Sequence, residues 1–100
     1  MARFDVHRGW RASVPYLLDI QADLLDVLPT RLVIPLLPAG TVGMRIDRLH
    51  LPVEIDGRPL VVATNLMTSV RRDQLGPKIG SLAERWSEIV AAVDFLQQGF

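Results

Sequence analysis

One hundred residues allow a single domain with one small core. Apolar residues at 49% and charged residues at 22% are the proportions of a folded chain and exclude intrinsic disorder. Eleven basic residues balance eleven acidic ones, which speaks against a dedicated nucleic-acid binder and favours self-association, and the lack of cysteine excludes disulfides and thiolate metal sites. No apolar run approaches the roughly 18 residues of a membrane span, and the first residues lack a secretory apolar stretch. The expectation is one soluble cytoplasmic domain over residues 1–100.

In chain order, Phe4 and Val6 alternate with Arg3, Asp5 and His7, the pattern of a strand with one wet face. A polar loop is expected over Arg8–Ser13, and Tyr16–Ile20 reads as a more buried strand. Arg31–Leu37 is a continuous apolar run between Pro29 and Pro38, too short for a helix and rich in branched residues. It is expected to be a core strand, with Pro35 at an edge position or a bulge because proline cannot donate to a ladder. Pro38–Gly43 is a flexible excursion, and Met44–Leu49 is ambiguous between strand and turn. Val53–Ile55 and Leu60–Ala63 flank Asp56-Gly57, a strong hairpin signal. Leu66–Val70 supplies one more strand.

The period then changes. Leu82, Trp86, Ile89, Val93, Leu96 and Phe100 follow four- and three-residue steps and fall within about 40° of one direction on a helix. Ser81 with Glu84 forms a capping-box signature, and Gly99 lies where a helix stops. The stripe is expected to be core, with Trp86 and Ile89 at its centre. Phe95 lies off it and is expected at an interface. Strands followed by one terminal helix indicate a mainly β or α+β domain.

No catalytic constellation is present: no nucleophile elbow, phosphate loop, dinucleotide fingerprint or zinc-protease motif. His7 and His50 are far apart in sequence. No metal and no cofactor is implied. Asp19, Asp23 and Asp26 form the one carboxylate cluster, read as a strand ending in a solvated turn. The arginines Arg8, Arg11, Arg45, Arg48, Arg71 and Arg72 fall in three separate loop regions, mostly as solvated surface. Residue chemistry alone therefore indicates a binding module. Its apolar features are Phe95 and the pair Leu24-Leu25, one of which either folds into the core or meets a partner.

The segments Leu18-Asp19-Ile20-Gln21-Ala22-Asp23-Leu24-Leu25-Asp26 and Arg31-Leu32-Val33-Ile34-Pro35-Leu36, with Leu51-Pro52-Val53 and Ala63-Thr64-Asn65-Leu66-Met67, resemble the CcdB toxin family over essentially the full length. The resemblance implies an SH3-like antiparallel barrel with a wing hairpin and one C-terminal helix, assembled as a homodimer. It also implies a toxin of a type II toxin–antitoxin module that binds the A subunit of DNA gyrase, traps the cleaved DNA complex and catalyses nothing. A cognate antitoxin neutralises the toxin, and the pair represses its own operon through the antitoxin's DNA-binding domain. No direct nucleic-acid binding without antitoxin and no membrane contact are implied. Carried over by position, the gyrase surface is Leu24, Leu25, Asp94, Gln98, Gly99 and Phe100, with Ala22 at its margin. The exposed arginines Arg8, Arg11, Arg45 and Arg48 are the expected antitoxin contacts.

Gln98 stands where the gyrase-poisoning members carry tryptophan, Asp94 puts a charge in place of a neutral amide, and Phe100 replaces an aliphatic terminus. Two alternatives therefore stay open. One is a dimer that binds antitoxin but has a lost or altered target. The other is a non-toxic SH3-like interaction module.

Overall fold

Residues 2–99 are described by the computed structural model. Seven strands form one curled antiparallel sheet: β1 (Asp5–Arg11), β2 (Val14–Asp19), β3 (Thr30–Pro38), β4 (His50–Ile55), β5 (Arg58–Ala63), β6 (Thr68–Arg71) and β7 (Lys78–Ser81). The order across the sheet is β4-β5-β3-β2-β1-β7, with β6 paired to β3. The helix α1 (Trp86–Gln98) closes the chain. This is the expected mainly β, SH3-like architecture.

β1 and β2 form a hairpin, so the polar loop expected over Arg8–Ser13 is mostly strand. Only Ala12 and Ser13 turn, and the register shifts between Arg8 and Arg11 at a bulge. The β4–β5 wing turns at Asp56-Gly57, both at positive φ (51° and 77°), as a two-residue hairpin requires. β3 is the hub. It pairs β2 along one flank, and along the other it pairs first β6 and then β5.

That division of partners accommodates Pro35. The Ile20 N–H donates to the Leu32 carbonyl, so even-numbered residues of β3 turn their polar backbone groups toward β2 and odd-numbered ones the other way. On that other flank β6 pairs as far as Val33, and β5 begins at Leu36. Pro35 therefore faces a gap in the ladder, a local edge within a central strand.

Alternation also assigns the core. Val6, Leu18, Ile34, Leu36, Leu60 and Val62 face inward with Phe4, Leu82 and Ile89. Leu17, Val33 and Val70 form a smaller cluster on the opposite face. The middle of β3 is buried on both faces, which is why its sequence reads as an unbroken apolar run.

The helix departs from the expected stripe. Trp86 is 57% exposed and Leu96 is exposed as well, whereas Ile89 and Ala92 are buried. Within α1 the buried direction runs between Ile89 and Ala92, about 90° around the helix from Trp86, and Leu96 lies in the last turn; a 3₁₀ turn at Ala83–Arg85 also separates Leu82 from α1. The capping box is not formed either. Ser81 ends β7, its Oγ accepts the Ala83 N–H at 3.1 Å, and α1 starts after Arg85 without a side-chain cap. Gly99 does end the helix in the left-handed region, at φ 81°, its N–H bonded to the Phe95 carbonyl. No described helix is long and apolar enough to cross a membrane.

Candidate functional site

The turn from β2 to β3 carries the first expected contact residues. Leu24 is 90% exposed and Leu25 47%, so neither folds into the core, and Val27 and Leu28 are exposed beside them. Exposed leucines usually mark loose chain, yet this turn is tied down. The buried Gln21 side chain donates to the Leu25 carbonyl and accepts the Leu32 N–H, both at 3.0 Å. The Leu25 N–H donates to the Ala22 carbonyl, and the Arg3 N–H donates to Asp23 Oδ1.

Of the three aspartates, Asp23 is exposed in the turn after β2, as expected from sequence, and Asp26 is half-exposed, but Asp19 is buried and paired. Asp19 and Arg31 are a fully buried ion pair: Arg31 Nε donates to Asp19 Oδ2 at 2.8 Å, and Nη2 lies 2.7 Å from the same oxygen, off the line of a hydrogen bond. Arg31 Nη1 donates to Asp26 Oδ1 at 2.9 Å, and Arg72 Nη2 meets that oxygen too. One guanidinium thus spans both ends of the leucine turn. Burial pushes the Asp19 carboxyl above the usual carboxylate range, opposed by the Gln21 N–H, by Arg31 and by His7. An arginine inside an apolar strand gives no sequence sign that it is buried.

At the end of α1, Asp94, Gln98 and Gly99 are exposed, and Phe100 lies outside the described residues. The helix lies over β4 and the turn at Thr64–Leu66. Among the described residues no hydrogen bond or ion pair joins its end to the leucine turn. Phe95 is off the core, as expected, but half-covered: the Arg48 guanidinium sits 4.1 Å above its ring centroid.

The four expected antitoxin arginines are all exposed, in two places. Arg45 and Arg48 ride on the irregular segment 42–49, which His50 holds. The Ile46 N–H donates to Nδ1 at 2.8 Å, so Nε2 carries the proton and faces Asn65 Oδ1 at 3.0 Å. Arg8 and Arg11 lie instead on β1, beside a depression of about 320 Å³ that Arg58 of β5 and the aromatic Trp10 and Tyr16 also line. Arginines scattered in sequence therefore converge in space. Arg58 carried no functional expectation, because only the hairpin register brings it there.

No curated protein matches the chain in sequence. Solved structures share its fold. It is similar to a Mycobacterium tuberculosis toxin, MazF-mt6, at TM-score 0.76 and 18% identity, over 93% of this chain and 95% of that one. A second M. tuberculosis (Mtb) toxin is similar at TM-score 0.71 and 21% identity, covering 92% and 98%. An endoribonuclease in complex with its cognate antitoxin, from a mycobacterial species, is similar at TM-score 0.73 and 14% identity, covering 97% and 94%. These likenesses correct one expectation. The same barrel is the framework of proteins described as endoribonucleases, so the expectation of a chain that catalyses nothing is withdrawn. The family model described as CcdB protein matches residues 3–99, and the chain accordingly belongs to the CcdB family, as a toxin of the toxin–antitoxin kind.

Proposed function

We propose that this toxin acts as a homodimer on the A subunit of DNA gyrase, holding the enzyme on cleaved DNA, until a cognate antitoxin removes it. The observation that carries this reading is the leucine turn: two large apolar side chains held in water by a buried hydrogen-bonded and ionic frame. A chain that merely needed a turn there would gain nothing from an ordered apolar pair, whereas a protein partner buries it. Asp94, Gln98, Gly99 and Phe100 form the helix-end part of the same proposed contact. The antitoxin segment, on this reading, meets Arg8, Arg11, Arg45 and Arg48 and must reach both arginine sites, and the toxin–antitoxin pair represses its own operon.

Purified gyrase and plasmid DNA test the target. Accumulation of cleaved DNA in the presence of the toxin is expected. Leu24→Ala with Leu25→Ala should weaken the effect about thirtyfold, the equivalent of one strong anchor of about 2 kcal/mol. Gln98 supports a second reading, a toxin with an altered target, because an exposed amide supplies no aromatic anchor there. A toxin that halts growth and binds its antitoxin while leaving gyrase unaffected establishes that second reading.

A further inference from the structure

The chain has ten arginines, and most are accounted for within the molecule. Arg31 and Arg72 pair with Asp19 and Asp26, Arg45 with Asp47, Arg71 with Asp73 and Arg85 with Glu88. Arg3 donates to the Ile20 carbonyl and lies over the Phe4 ring, and Arg48 lies over Phe95. Three remain. Among the described residues Arg8, Arg11 and Arg58 have neither a carboxylate within 4.0 Å nor an aromatic ring beneath them, and all three line the same depression.

The fold builds this depression. Antiparallel pairing brings the end of β1, the start of β2, the end of β3 and the start of β5 to one end of the sheet. The β1 bulge falls between Arg8 and Arg11. Gly9 lets the strands close: a Cβ there would lie 2.1 Å from the Val14 carbonyl oxygen, which is backbone and cannot step aside. On the other side the Arg8 N–H donates to the Pro77 carbonyl, and a Cβ on Gly76 would lie 2.7 Å from the Arg8 oxygen. Trp10 is steadied by its Nε1–H, which donates to the Gln74 carbonyl at 3.3 Å, while 47% of the residue stays exposed.

From this geometry we infer that the depression binds single-stranded nucleic acid, the three guanidiniums taking backbone phosphates and the Trp10 indole stacking on an unpaired base. Guanidiniums match phosphate oxygens in a two-pronged geometry, and an exposed, oriented indole is the stacking platform that single strands use and acidic peptides do not. The zero net charge is no obstacle, because a sum over the chain conceals a local cluster of three unneutralised cations. An antitoxin segment over Arg8 and Arg11 would cover this depression, so the two occupants exclude one another. The inference goes beyond the gyrase reading and does not depend on it.

The test is fluorescence anisotropy of the whole chain with labelled RNA and DNA single strands of about 12 nucleotides, read across about 50 to 200 mM salt. Saturable binding of RNA, of DNA or of both is expected, and the two arms identify the nucleic acid. Affinity should fall steeply with salt. Arg8→Gln, Arg11→Gln and Arg58→Gln should each weaken binding about tenfold and flatten the salt slope by about one phosphate contact. Trp10→Ala should weaken it about tenfold as well. Arg71→Gln, the same charge change outside the depression, should leave binding as it was. Circular dichroism melts establish that each variant is folded. Binding by the folded triple arginine variant as tight as the parent's overturns the inference. So does duplex bound as tightly as single strand, or an aspartate-rich peptide bound where neither oligonucleotide is.

Discussion

Replacing Arg31 by methionine probes the buried charge at the centre of the leucine turn. The substitution keeps length and apolar volume but leaves the Asp19 carboxylate, itself fully buried, with the Gln21 N–H as its hydrogen-bond donor and no ion-pair partner among the described residues. Breaking a buried ion pair from one side costs about 3–5 kcal/mol, because the remaining charge is desolvated without compensation. Asp26 adds little, since it is partly exposed and retains Arg72; the loss there is at most the value of a surface pair, about 0.2–1 kcal/mol. Set against a typical domain stability of about 5–15 kcal/mol, the variant is severely weakened. Both tryptophans are about half exposed, so urea unfolding is better followed by far-ultraviolet circular dichroism. The midpoint should fall by at least about 1 M.

The pH dependence carries a definite sign. Asp19 has a folded pKa above its unfolded value, so within the window between the two the folded state binds more protons than the unfolded chain. Stability from this group is present below the ordinary carboxylate range and is lost as pH rises through the raised folded value. Removing Arg31 raises that value further and widens the window. Arg31→Met should therefore regain stability as pH is lowered from about 7 to about 5, by more than the parent does. The double substitution Asp19→Leu with Arg31→Met removes both charges and should return close to parental stability at neutral pH. A loss below about 1 kcal/mol for Arg31→Met, or a loss that does not change with pH, refutes the reasoning.

Trp86→Ala should cost less than about 1 kcal/mol in denaturant unfolding and Ile89→Ala about 2–5 kcal/mol; the reverse order would return Trp86 to the core. Gly9→Ala should cost about 1–3 kcal/mol, because its methyl group meets backbone on the facing strand, and an unchanged melting temperature would show that the hairpin can open at no cost. Sedimentation at tens of micromolar should give twice the chain mass, as expected of a small core, zero net charge and an aromatic side chain, Phe95, off the core. A stable monomer removes the dimer from the proposed function.

What the sequence disclosed depended on whether the signal was local. The Asp56-Gly57 hairpin, the alternation in β1 and the apolar run of β3 are decided by neighbours within a few residues, and each element is present, although β1 continues through Arg8–Arg11, where a loop was expected. The leucine pair was recognisable as a candidate surface because two leucines between aspartates fit no simple core pattern. β7 was missed because Lys78-Ile79-Gly80-Ser81 has no strong strand signal, and it pairs β1 from far along the chain. The exposure of Trp86 was missed because periodicity finds an apolar stripe but not which flank of it meets the sheet, and the buried direction lies between Ile89 and the small Ala92, to one side of Trp86. The Asp19–Arg31 pair and the convergence of Arg8, Arg11 and Arg58 depend on register between strands. Charges that looked solvated one at a time are therefore paired or gathered only once the sheet is assembled.

The buried ion pair connects the frame of the turn to its use. An apolar pair at positions 19 and 31 would match its stability, since removing two charges from the interior spares their desolvation. It would not reach Asp26. Arg31 Nε and Nη1 bind the last residue of β2 and the residue just after the 3₁₀ turn at Asp23–Leu25, so one planar group fixes the separation of the two ends between which Leu24 and Leu25 project. Ion pairs impose direction, and methylene contacts do not. The double variant Asp19→Leu with Arg31→Met should consequently melt like the parent yet exchange the Leu25 and Asp26 amide protons faster, because their partners, the Ala22 and Asp23 carbonyls, lie within the released turn. Partner binding through the leucine turn should weaken in step with that exchange, while Ile34 and Leu36, in the core of β3, keep their protection. Parental exchange at Leu25 and Asp26 in a stable double variant would show that the Gln21 bonds and the Asp26–Arg72 pair suffice to hold the turn, and the positioning role of Arg31 would fall.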